Sequence, residues 1–171
     1  MEAAMPKLSL MIVIVTATGI AETGGGDWKE FRSKEHGFCV LYPSQPKLNV
    51  TKSGGMEMKV FDVELNKCVF RIAVVDYPGA QFEKEALAEE RLELLTKSAT
   101  AKLKLEKATK ITLAGALLGR EIWASSDSGD MVHARVFLVN GRVYQVLVSG
   151  PRERATSAEA EKFLDSFVLS Q

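Results

Sequence analysis

Five side chains in one short stretch have the types and spacing to recognise another molecule. In "HARVFLVNGRVYQV", His133, Arg135 and Phe137 alternate along one strand-like run, and Arg142 and Tyr144 alternate along the next. Alternation of period two places such residues on one face of a strand. Asn140-Gly141, between the runs, tolerates the two positive φ angles of a type I′ turn, so the runs pair as a hairpin. That pairing sets Val139 opposite Arg142, Phe137 opposite Tyr144 and Arg135 opposite Val146 on this first face. Leu138 with Val143, Val136 with Gln145 and Ala134 with Leu147 fill the second. An imidazole, two guanidiniums and two aromatic rings on one surface suit hydrogen bonding to, and stacking on, a ligand or partner.

Bond-making chemistry asks for a converging acid, base or nucleophile, and the other candidates have simpler readings. His36 in "SKEHGF" reads as a solvated turn residue, and His133 as a sheet-edge residue with ligand contact as its rival reading. Two distant histidines without an H-E-x-x-H pattern do not build a metal site. Asp127 and Asp130 in "DSGD" fall short of the ligand count of a calcium loop, and turn chemistry accounts for them. Asp76 and Glu121 occupy strand positions where pairing with Arg120 or another arginine explains them. There is no G-x-S-x-G elbow, no phosphate loop and no strand ahead of "GGGDW" to make a dinucleotide site. The expectation is a chain with no catalytic residue, no metal ligand and no cofactor. Cys39 and Cys68 lie in strand-like runs and read either as small core hydrophobes or, in an oxidising compartment, as a disulfide.

The elements that must position these residues follow from periodicity. Strands are expected from about Gly37 to Tyr42, from Met58 to Leu65, and through "KCVFRIAVV", whose continuous apolar character marks a central strand. A helix runs from Phe82 to about Thr100, with an apolar stripe of Leu87, Leu94 and Leu95 beside Ala88, Leu92 and Ala99. "GREIWASS" and the hairpin supply further strands. A closing helix opens on a Thr156–Glu159 capping box and buries Ala160, Phe163, Leu164 and Phe167. The whole reads as one α+β domain over 28–171. Its sheet is mainly antiparallel, of about six to seven strands, covered by helices on both faces as an α/β/α sandwich. One helix lies on the face bearing His133, with Arg135 and Arg142 reaching the rim.

Ahead of the domain, Lys7, the apolar run Leu8–Val15 and small residues (Gly19 and Ala21, or Ala17 and Gly19) have the layout of a secretory signal. Residues 1–21 are assigned to it and 22–27 to a flexible lead-in, with Met5 an alternative start to Met1. The apolar run is shorter than the roughly 20 residues that span a bilayer. Export to the periplasm or beyond is expected, with an uncleaved membrane anchor as the alternative. The 22 basic and 22 acidic residues balance, so nothing global attracts a nucleic acid. The lysines at 97, 102, 104, 107 and 110, interrupted by Glu106, read as a solvated face.

"WKEFRSKEHGFCVLYPSQP", "LLGREIWA", "ARVFLVNGRVYQVLVSGP" and "KFLDSFVL" carry a resemblance over about Trp28 to Leu169. They look like a group of uncharacterised exported bacterial proteins with W…S-x-E-x-F-x-V-x-x-P-x-x-P, G-x-x-G-R-E, a paired-arginine hairpin and F-x-x-S-F. The element order is also similar to the fold of the photosystem PsbP and Ran-binding Mog proteins. This resemblance implies a PsbP-like fold and, by analogy, partner binding; His36 and Cys39 depart from the pattern and inherit no role. The functional expectation is an exported, non-enzymatic domain that binds a partner protein or envelope component. Its rivals are a small-molecule or lipid carrier using a groove on the sheet, and an orphan hydrolase built on Asp76, Glu121 and His133.

Overall fold

The sheet grows outward from the hairpin. In the computed structural model, Asn140 and Gly141 take φ of 48° and 78°, both left-handed, as a type I′ turn requires. They join strands that we label β8 (Met131–Val139) and β9 (Arg142–Gly150), and the register is the expected one, with Phe137 opposite Tyr144 and Arg135 opposite Val146. The structure describes residues 27–53, 56–77, 85–114 and 117–170. The expected signal segment, the Gly54-Gly55 turn and the start of the long helix at Phe82 lie outside them.

Ahead of the hairpin the chain forms β1 (Lys29–Ser33), β2 (Phe38–Tyr42), β3 (Lys47–Ser53), β4 (Met56–Leu65), β5 (Cys68–Asp76), helix α1 (Glu85–Ala99), β6 (Lys104–Leu113) and β7 (Leu117–Ser125). After it come α2 (Arg152–Ala155), α3 (Ala158–Asp165) and the two-residue β10 (Val168–Leu169). A seven-stranded sheet has the order β3-β4-β5-β9-β8-β7-β6, and a three-stranded one the order β1-β2-β10. Every strand pair in both sheets is antiparallel. β5, buried along all but its last residue, lies inside the large sheet, in keeping with its continuous apolar sequence.

Each face of the large sheet is shielded differently. On one, Ala88, Leu92, Leu95 and Ala99 of α1 pack against Ile122, Ala134 and Val136. On the other, the small sheet joins the C-terminal helices: Phe38, Val40 and Tyr42 of β2 share a core with Phe163 and Leu164 of α3 and with Phe137, Tyr144 and Val146. The sandwich expected with helices alone on both faces is therefore replaced, on this face, by a strand layer together with short helices. β2 supplies that layer because it is apolar on both sides, and sheet-on-sheet packing buries it.

Local details also depart from expectation. Leu87 and Leu94 of α1 point to solvent, and the buried stripe is Ala88-Leu92-Leu95-Ala99. Ser157, not Thr156, caps α3, its hydroxyl accepting from the Ala160 N–H at 3.3 Å. Thr156 ends α2 instead, donating its hydroxyl to the Arg152 carbonyl. Cys39 and Cys68 are buried free thiols, and burial pushes the Cys68 thiol up to about 11.

Candidate functional site: a groove beside a half-buried ion cluster

Strand register lays the first face out in rows. Lys107, Trp123 and His133 form one row across β6, β7 and β8; Thr109, Glu121 and Arg135 form the next; Ile111, Gly119 and Phe137 form a third. The first row stacks. Lys107 Nζ sits 4.7 Å above the Trp123 ring, and Trp123 in turn stacks on His133 with centroids 4.7 Å apart. His133 is 0% exposed and lies on an interior strand, so neither an edge position nor direct ligand contact describes it. Its Nε2 is 2.9 Å from Glu121 Oε1. Its Nδ1 has no hydrogen-bond partner and faces Glu161 Oε1 of α3 at 3.7 Å.

The second row is an ion cluster. Arg135 donates from Nε to Glu121 Oε1 at 2.9 Å and from Nη1 to Asp165 Oδ1 at 2.7 Å, with Glu161 Oε2 3.5 Å from Nη2. Burial pushes Glu121 up, but hydrogen bonds from Arg135 and His133 outweigh it and hold the carboxyl below its ordinary range. Burial likewise opposes charge on Arg135, yet Asp165 and Glu121 raise its pKa. The guanidinium thus ties β7 and β8 to α3.

The third row makes a recess. A Cβ on Gly119 would lie 2.5 Å from Phe137 Cδ1, so only glycine lets the Phe137 ring lie across β7. That ring stacks on Phe167 with an interplanar angle of 4°. Between β6 and the α3–β10 segment this leaves a groove of about 290 Å³. Ile111 and Leu113 form one wall, Leu164 and Phe167 the other, and Glu121, Arg135 and Asp165 line its charged part.

Of the five residues anticipated as a binding face, Arg135 and Phe137 line the groove and His133 lies behind it. Arg142 and Tyr144 belong elsewhere. Arg142 forks onto Asp76, with Nη2 3.1 Å from Oδ2, and that bond lowers the Asp76 pKa and raises the arginine's. Tyr144 is buried and donates its hydroxyl to the His36 carbonyl at 2.7 Å. His36 is a correction too: it is 3% exposed, packs edge-on against Phe61, and shares a 2.8 Å hydrogen bond with Ser33 through Nδ1. Asp76 stands with Arg142 rather than with Glu121 and His133, so the three groups of the hydrolase reading do not converge. Among the described residues no group of three or more His, Cys, Asp and Glu could hold a metal ion, and no helix is long and apolar enough to cross a membrane.

Sequence reasoning placed Leu164 and Phe167 in the core of the closing helix but assigned neither them, nor Asp165, nor the β6 wall to a site. A signal existed for the carboxylates: Glu161 and Asp165 are four residues apart, one face of a helix. No family model and no curated protein matches the chain, so the resemblance to exported bacterial proteins rests on its motifs alone. The likeness to solved structures supports the fold half of that resemblance: the chain is similar in fold to cyanobacterial PsbP (CyanoP) from Synechocystis sp. PCC 6803, with a TM-score of 0.61 and 14% identity over 88% of this chain and 97% of that one.

Proposed function

We propose that the protein is an exported, non-enzymatic binding domain whose groove between β6 and α3 docks a partner protein of the cell envelope. One observation carries the reading. The charged side chains at the groove are fixed by mutual ion pairs across three elements, leaving an open recess with apolar walls and an oriented polar strip. That is the anatomy of a docking surface: an apolar core edged by oriented polar groups. Export rests on the N-terminal sequence layout of Lys7 and Leu8–Val15.

The carrier reading needs a hollow beneath His133, Arg135, Phe137, Tyr144 and Val146. Phe38 and Phe167 occupy that space, packing on Tyr144 at 6.4 and 5.6 Å. What remains open lies at the small end of ligand pockets, which run from about 300 Å³ upward, and favours a protruding side chain over an enclosed small molecule.

A photo-crosslinking amino acid at Thr112, on the exposed side of the groove, tests this in cells that make the full chain. We expect one protein adduct that disappears with Leu113→Arg and does not form from the same probe at Thr51 on β3. An adduct of lipid or metabolite mass would favour the carrier. Labelling equal at both positions would refute a specific site.

A further inference from the structure

We infer that the groove takes an extended segment of the partner in which an apolar residue and a basic residue stand two positions apart. This rests on the docking reading above and names the chemistry of what docks. The apolar walls and the ion cluster occupy successive rows of the sheet, Ile111–Gly119–Phe137 and Thr109–Glu121–Arg135. Adjacent rows on one face are two residues apart along a strand, and an extended peptide running beside β6 has the same repeat of about 6.6 Å. Its residue over the Phe137 row meets Ile111, Leu113, Leu164 and Phe167. Its neighbour two positions along meets the row of Glu121 and Arg135.

Charge selects what that second residue is. Three carboxylates, Glu121, Glu161 and Asp165, share the Arg135 guanidinium. Glu161 and Asp165 are the accessible acids, with side chains 46% and 66% exposed; Asp165 lines the groove and Glu161 stands one turn before it on α3. An arginine or lysine placed there adds charge-assisted hydrogen bonds; an aspartate or glutamate meets repulsion.

The probes are two synthetic peptides, acetyl-Thr-Thr-Leu-Thr-Arg-Thr-Thr-amide and its counterpart with Glu in place of Arg, titrated into the full chain by NMR. We expect shifts at the methyl groups of Ile111 and Leu113, and an affinity for the Arg peptide about tenfold or more above that for the Glu peptide. The double variant Glu161→Gln/Asp165→Asn should erase that preference while the chain stays folded, with amide shifts unchanged in β4, β5 and β9 even where the loss of the Arg135 ion pairs lowers the melting temperature. Equal affinities, no binding of either peptide, or shifts away from the groove would overturn the inference. A Thr112 adduct combined with indifferent peptides refutes the basic-residue pattern and leaves the docking reading standing. Selective peptides without any adduct support the chemistry of the groove and refute its use in the envelope.

Discussion

His36 shows how much a single ring depends on where the chain buries it. Its imidazole is packed on Phe61 with no hydrogen bond at Nε2, which lies 3.8 Å from Glu35 Oε1, and burial lowers its pKa from the ordinary 6.5. Glu35 and Asp76 push the other way, Lys59 and Arg142 add to the lowering, and burial dominates. The folded state therefore prefers the neutral ring. That contribution to stability is complete above the unfolded value of 6.5 and is lost as pH falls from there toward the lower folded value. Melting temperatures at about pH 7.5 and about pH 5.5 should show a drop in the wild type that His36→Asn reduces. An identical drop in both would assign the acid sensitivity to other groups. The carbonyl of the same residue accepts from Tyr144, so the turn between β1 and β2 is fixed from both backbone and ring.

At the scale of elements, α1 is held to the sheet by a single buried stripe. Leu95 is fully buried against the sheet while its neighbour Leu94 is 42% exposed. Leu95→Ala should cost about 2–5 kcal/mol, and Leu94→Ala about 0.5 kcal/mol or less, read from urea unfolding. Similar losses at the two positions would mean that α1 is seated differently.

This pair also shows which elements the sequence makes legible. The hairpin, β5, β7 and the closing helix announce themselves through turn residues, continuous apolar runs and helical spacing. β3 does not, because an edge strand exposed on both sides, such as "KLNVTKS", has no burial pattern to betray it, and the short β1 buries only Ser33 and, in part, Phe31. In the long helix the stripe is blurred, since Leu87 and Leu94 are as apolar as the residues that are buried. For the site, Arg135 and Phe137 could be placed on a shared face from alternation alone. The groove could not, since it opens between β6 and the α3–β10 segment, which are far apart in sequence, and no local pattern encodes their approach.

The large sheet on which the whole molecule is built is two blocks of sequential strands joined at one seam. β3, β4 and β5 follow one another, as do β6 to β9, and the long-range pairing of β5 with β9 unites them from Val69↔Ser149 to Asp76↔Arg142. Strands buried on both faces and paired on both sides open only with the whole structure, while outer strands open locally. Hydrogen exchange should therefore find the slowest amides in β5 and β9 and the fastest sheet amides in β3 and β6. Slower exchange in β6 than in β9 would contradict this division.

Both flanks of the large sheet end in strands with no further strand neighbour among the described residues, β3 on one side and β6 on the other. An open flank is a template on which a second chain can continue the ladder into a fibre. Here Lys47 and Lys52 stand on one flank, and Lys104, Lys107 and Lys110 on the other. Two such flanks approaching each other bring ammonium groups together, and that repulsion opposes a continued ladder.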